Sequence, residues 1–142
     1  MASDSLLPDQ TVAHMMKSDY FSQWMGLEIE EMGPGYCRLR MKTRRDMLNG
    51  FGIVHGGVTF SMADSAFAFA SNSHGRLSVS LNASITYPKS AKEGDILIAE
   101  AKELSLTYKT ATYDIEVRNQ QAEIIALFRG TVYRTSQKIL DI

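Results

Sequence analysis

The stretch from Gly56 to Ser73 most constrains what this chain can fold into. It reads as a helix carrying Phe60, Met62, Ala63, Ala66, Phe67, Ala68, Phe69 and Ala70, too apolar all round for a surface helix with a solvated face. The rest of the chain must therefore wrap it. His55-Gly56-Gly57 opens the helix, and Gly75 lies just past its end, where glycine often stops one. Four strand-like segments follow, at 76–87, 95–107, 109–118 and 122–134, with turns at Glu93-Gly94-Asp95 and Asn119-Gln120-Gln121. The first alternates: Val79, Leu81, Ala83, Ile85 and Tyr87 take one face, and Ser78, Ser80, Asn82, Ser84 and Thr86 the other. Upstream, residues 8–25 read as one or two short helices, with Pro8 near the first turn and Val12, Met15 and Met16 at helical spacing. Leu27 and Ile29, then Tyr36 and Arg38 to Met41, read as two strands joined by Gly33-Pro34-Gly35. A loop over 44–54 leads into the long helix. This order predicts an α+β fold in which a meandering antiparallel sheet curls around one greasy helix.

Length and charge narrow the function classes. A chain of 142 residues fits one domain, here an N-terminal helical segment at 1–24 and a core at 25–134. A formal net charge of −1 argues against a general nucleic-acid or membrane-surface binder. No apolar run approaches the ~18 residues of a transmembrane helix. Met1-Ala2-Ser3-Asp4 lacks the features of a signal peptide, and the lone Cys37 cannot form an internal disulfide, which together predict a cytoplasmic protein. His14, His55, His74 and Cys37 have no ligand spacing, so no metal is expected.

Chemistry concentrates around the start and middle of the helix. Asp64 reads as a buried carboxylate, which is costly unless it is paired or used. No Lys or Arg sits at helical contact spacing, so its alternative to function is pairing with Arg40 or Arg129. Gly56 presents a backbone N–H in the first helical turn, where the dipole favours an oxyanion; Gly56 and Gly57 also serve a tight turn. A carboxylate and an oxyanion donor are parts for acyl transfer. The two are eight residues apart, ~12 Å along a helix, so one carbonyl cannot easily touch both. A composite site resolves this, with Gly56 from one subunit and Asp64 from its partner. His55 reads as support, holding the loop through backbone hydrogen bonds rather than acting as a base. Asn49 either orients the substrate carbonyl or water, or simply makes the Asn-Gly turn. Ser80 or Asn82 would lie near the attacking water if their strand face is not merely solvated or dimer-facing.

Asn49-Gly50, His55-Gly56-Gly57, Phe60-Ser61-Met62-Ala63-Asp64, Tyr113-Asp114-Ile115-Glu116-Val117 and Ala126-Leu127-Phe128-Arg129-Gly130 together resemble the hotdog-fold acyl-CoA thioesterases, nearest to the phenylacetate-degradation type. The resemblance spans about residues 25 to 134. It implies six strands wrapped on the long helix, homodimers joined through the strand after that helix, and usually tetramers. It also implies hydrolysis of a coenzyme A thioester with Asn49, Gly56 and Asp64 in the site, Asp64 attacking the carbonyl or activating water. No cofactor or metal is needed. The subfamily suggests an aryl-acetyl substrate, phenylacetyl- or hydroxyphenylacetyl-CoA. Coenzyme A carries phosphates, so Lys89, and less directly Arg44 and Arg45, are candidates at the entrance. Phe51, Phe60, Met47 and Met62 are either acyl-pocket walls or ordinary core. The rival readings are a hotdog hydratase or dehydratase, against which the His-Gly-Gly turn leading to Asp64 argues, and a non-catalytic acyl-CoA binding module.

Overall fold

One long helix is cradled by five strands because sheet order departs from chain order. The computed structural model describes residues 6–142; the reading of Met1 to Asp4 lies outside the described residues. The chain runs α1 (Leu7–Met16), α2 (Tyr20–Met25), β1 (Glu28–Gly33), β2 (Tyr36–Lys42), a 3-10 turn (Arg45–Met47), α3 (Gly56–Asn72), β3 (Arg76–Thr86), β4 (Ile96–Leu106), β5 (Thr110–Arg118), β6 (Ile124–Lys138) and a last 3-10 turn (Ile139–Asp141). The strands form one antiparallel sheet in the order β1-β2-β4-β5-β6-β3. Crossing from β2 over α3 to the far edge leaves the helix against β2 to β6. This is the expected α+β architecture, a curled six-stranded sheet on a central helix. Among the described residues no helix is long and apolar enough to cross a membrane.

Local chemistry explains where α3 begins and ends. The His55 imidazole accepts the Gly57 N–H at 2.8 Å and caps the first turn. At the other end the Asn72 side chain donates to the Ala68 carbonyl at 2.8 Å and accepts the Ser78 N–H at 2.8 Å, tying the helix to β3. Ser73 accepts the Gly35 N–H at 2.8 Å and so holds the β1–β2 turn against the helix end. Between the ends, Met62, Ala63, Ala66, Phe67, Phe69 and Ala70 are buried against the sheet. Phe67 packs on Tyr113 and Phe128, with ring centroids 5.9 and 5.6 Å away. A Cβ on Gly130 would lie 2.6 Å from the Phe67 ring, so this strand position admits only glycine under that side chain.

Three expectations change. α3 is not covered all round: Gly57, Ser61, Asp64 and Ala68, spaced four, three and four apart, form a stripe the sheet leaves open. Asp64 is therefore exposed in the single chain, not buried. The clean alternation of β3 also fails. Ser80 pairs with Val132 but Asn82 pairs with Thr131, so Leu81 is an extra residue in a bulge. The sheet face that takes Ser78 and Ser80 before the bulge takes Ala83 and Ile85 after it. Finally, β6 runs to Lys138, four residues past its expected end, and Ile139 is buried. Val12 and Met25 of the N-terminal helices join the same hydrophobic cluster as α3.

Candidate active site

The loop before α3 is built to aim the helix N-terminus. Asn49 Oδ1 accepts the Phe51 N–H at 2.9 Å and the Ile53 N–H at 3.4 Å, while the Asn49 N–H reaches the Ile53 carbonyl at 2.8 Å. Two backbone donors fix which end of the amide is oxygen, so Nδ2 is left to donate elsewhere. The turn role and a substrate role are thus compatible in one side chain. Gly56 follows in the first turn of α3, and among the described residues no acceptor meets its N–H. A cleft of about 140 Å³ opens here, lined by Asn49, Gly56, Thr59, Tyr87, Lys89 and Ser90 among others.

Tyr87 is the residue sequence reasoning missed. Its hydroxyl donates to the Gly56 carbonyl at 3.0 Å, and a Cβ at Gly56 would come within 3.3 Å of its ring. It closes one wall of the cleft and holds the peptide that follows the free N–H. Desolvation raises the Tyr87 hydroxyl above its ordinary pKa, so it stays a donor. Its place directly before Pro88, at a strand end facing the loop, was the available signal.

Asp64 lies two helical turns further on and does not line this cleft. Neither suggested arginine pairs with it: Arg40 meets Glu28 at 3.7 Å, and Arg129 grips Asp114 with bonds of 2.6 and 2.9 Å. Among the described residues no ion pair reaches Asp64. Its carboxyl is held above the ordinary carboxylate value, first by desolvation and second by the charge of Asp19. The group is open to solvent on one side and crowded by protein on the other.

The remaining candidates separate. His55 uses Nδ1 as an acceptor, as the helix cap. Ser80 is exposed on β3 and outside the cleft. Lys89 borders the cleft, with its ammonium paired to Glu123. Arg44 is occupied: it lies 4.9 Å over the Trp24 ring and bonds Asp46 at 2.9 Å and the Met25 carbonyl at 3.2 Å. Met47 and Met62 are core, not pocket wall, while Phe51 is 89% exposed at the loop tip. Phe60 packs edge-on to Phe128 at 5.4 Å. Among the described residues no three His, Cys, Asp or Glu side chains gather as a metal site would.

Residues 51–126 match the family model of the thioesterase superfamily. The acyl-coenzyme A thioesterase PaaI of Escherichia coli is 38% identical over 88% of this chain and 89% of its own. The solved structure of the E. coli PaaI protein from the phenylacetic acid degradation operon superimposes with a TM-score of 0.92, covering 94% of this chain and 97% of that one. Human acyl-coenzyme A thioesterase 13 is 27% identical over 86% of this chain and 90% of its own. A hypothetical thioesterase of Streptococcus pneumoniae, solved with coenzyme A, superimposes with a TM-score of 0.77 at 28% identity, over 79% of this chain and 88% of that one.

Proposed function

That this chain belongs to the thioesterase superfamily is the premise from which we propose that it hydrolyses acyl-CoA thioesters, with Asp64 as base or nucleophile. One observation carries the reading. Asp64 is the only charged residue on α3, and it stands without a counter-ion among the described residues. A carboxylate kept free and basic is poised to take a proton or attack a carbonyl. In the base form of the reaction, Asp64 accepts a proton from water as the oxygen bonds to the thioester carbon. The Gly56 N–H donates to the tetrahedral oxyanion. The carbon–sulfur bond then breaks, and the proton held by Asp64 goes to the departing thiolate. Asn49 Nδ2 orients the carbonyl or the water. No metal or cofactor enters this chemistry.

The distance between Gly56 and Asp64, ~12 Å along the axis, asks for two copies. β3 is an edge strand, and its Val79 and Leu81 are 45% and 61% exposed. The other edge, β1, carries Glu28, Glu30 and Glu31, charges that blunt pairing. β3 of one copy therefore pairs with β3 of a second, and each site takes Gly56 and Asn49 from one and Asp64 from the other. Two such dimers forming a tetramer, in the cytoplasm, complete the reading. The similarity to the phenylacetic acid operon protein favours an aryl-acetyl group, and Lys89 is the proposed contact to a coenzyme A phosphate.

Thiol release from acetyl-, medium-chain, long-chain, benzoyl-, phenylacetyl- and hydroxyphenylacetyl-CoA, run with wild type and Asp64→Asn, tests this. Fast release on aryl-acetyl thioesters that disappears in Asp64→Asn is the expected result. Tight binding of every thioester with no release from any would instead identify a binding module.

A further inference from the structure

α2 does more than close the end of the core. Its cap residue, Asp19, accepts the Ser22 N–H at 3.0 Å through Oδ1 and the Ser22 hydroxyl at 2.7 Å through Oδ2. Ser22 Oγ also lies 2.8 Å from Ser65 Oγ. A carboxylate can only accept, so the Ser22 proton goes to Asp19, and Ser65 must donate to Ser22. The bonds form a directed relay: Ser65 to Ser22 to Asp19. Both hydroxyls are buried, so the relay is desolvated and firm. Ser65 is the neighbour of Asp64 on α3. The relay thus ties Asp19 to the residue that follows the carboxylate proposed to react.

We propose that Asp19 is a positioning residue for Asp64, tied by the Ser22–Ser65 relay to the turn of α3 that carries Asp64. The assignment rests on the reading of Asp64 as the base. A helix cap alone requires no particular charge, since Ser, Asn and Asp all cap well. The charge matters only for what lies nearby. α3 carries no other charged residue. On the flanking elements, His14 is bonded to the Ile142 carbonyl at 3.0 Å, Arg44 is held by Asp46 and Met25, and Asp9 and Lys17 are exposed. Among the described residues Asp19 is the one charge that acts on Asp64 there, and it makes the protonated form easier to keep.

The test is the pH dependence of kcat/KM for whichever acyl-CoA is hydrolysed, with Tm measured on each variant. Rate rises as Asp64 ionises, so removing the neighbouring charge should move the acidic limb to lower pH. Asp19→Asn is expected to move it to lower pH. Asp19→Ser, which also caps, should do the same and serves if the first variant is poorly folded. Asp19→Glu should leave the limb near its wild-type position. An unmoved limb in folded Asp19→Asn or Asp19→Ser, while Asp64→Asn is inactive, overturns the assignment alone. Full turnover by Asp64→Asn overturns the base reading and the assignment with it.

Discussion

Proline at position 56 deletes the proposed oxyanion donor while leaving the helix start intact. Position 56 is the first residue of α3, where proline is well tolerated because its N–H has no helical acceptor. Proline also restricts the residue before it to extended backbone, and His55 already sits at φ −59 and ψ 133. Gly56 itself does not have a positive φ. The one crowding neighbour is Tyr87, 3.3 Å from where a Cβ would be, and Gly56→Ala reproduces that contact while keeping the N–H. Loss of a single oxyanion donor costs about 10²–10³ in kcat. Steady-state thiol release should therefore fall by about that factor in Gly56→Pro and by much less in Gly56→Ala. Equal rates in the two variants would show that the amide hydrogen stabilises nothing in the transition state.

The same variant tests the two-copy site. Gly56→Pro mixed one-to-one with Asp64→Asn, unfolded and refolded together, gives heterodimers in about half the molecules. Each heterodimer has one site with both groups intact and one with neither. The mixture should recover about a quarter of wild-type activity, although each parent is nearly inactive. A site contained within one chain would recover none.

Leu81→Lys places a charge in the exposed bulge of β3; light scattering should report a monomer, and activity should be lost with it. Lys89→Ala should raise KM for acyl-CoA with kcat little changed, whereas Glu123→Gln, which releases Lys89 from its ion pair, should lower KM. Asp64→Asn should raise Tm near neutral pH. The carboxyl pKa is raised on folding, so its stabilising contribution is complete at low pH and is lost as pH rises through the folded value; the gain in Tm should vanish in acid. Phe67→Ala should cost about 3–5 kcal/mol in urea unfolding, because the ring fills the space between Tyr113, Phe128 and Gly130.

What was legible in the sequence is what local chemistry decides. The apolar helix, its glycine start, its stop near Gly75 and the turns at Gly94 and Asn119 depend on neighbours within a few residues. What was not legible depends on partners far along the chain. The bulge at Leu81 exists because β6 sets the register of β3, and counting every second residue of β3 alone cannot reveal it. The relay from Ser65 to Asp19 joins residues 46 positions apart, and Asp19 reads in isolation as an ordinary helix cap. The sequence leaves Met47 and Met62 open between pocket wall and core, because depth is a property of the folded sheet.

The open stripe on α3 links these levels. A helix this apolar should have no uncovered side, yet the sheet leaves out Gly57, Ser61, Asp64 and Ala68. These are small residues with one carboxylate among them, so a second helix can approach closely without a large side chain in the way. β3, which carries no charge after Arg76, is an edge of the sheet, and in the proposed pairing of β3 with β3 this stripe is the helix face left for a second copy. On the proposed reading, Gly56 and Asp64 of one chain are two halves of a site separated by two helical turns, and the pairing proposed to cover the stripe is also the one proposed to complete them.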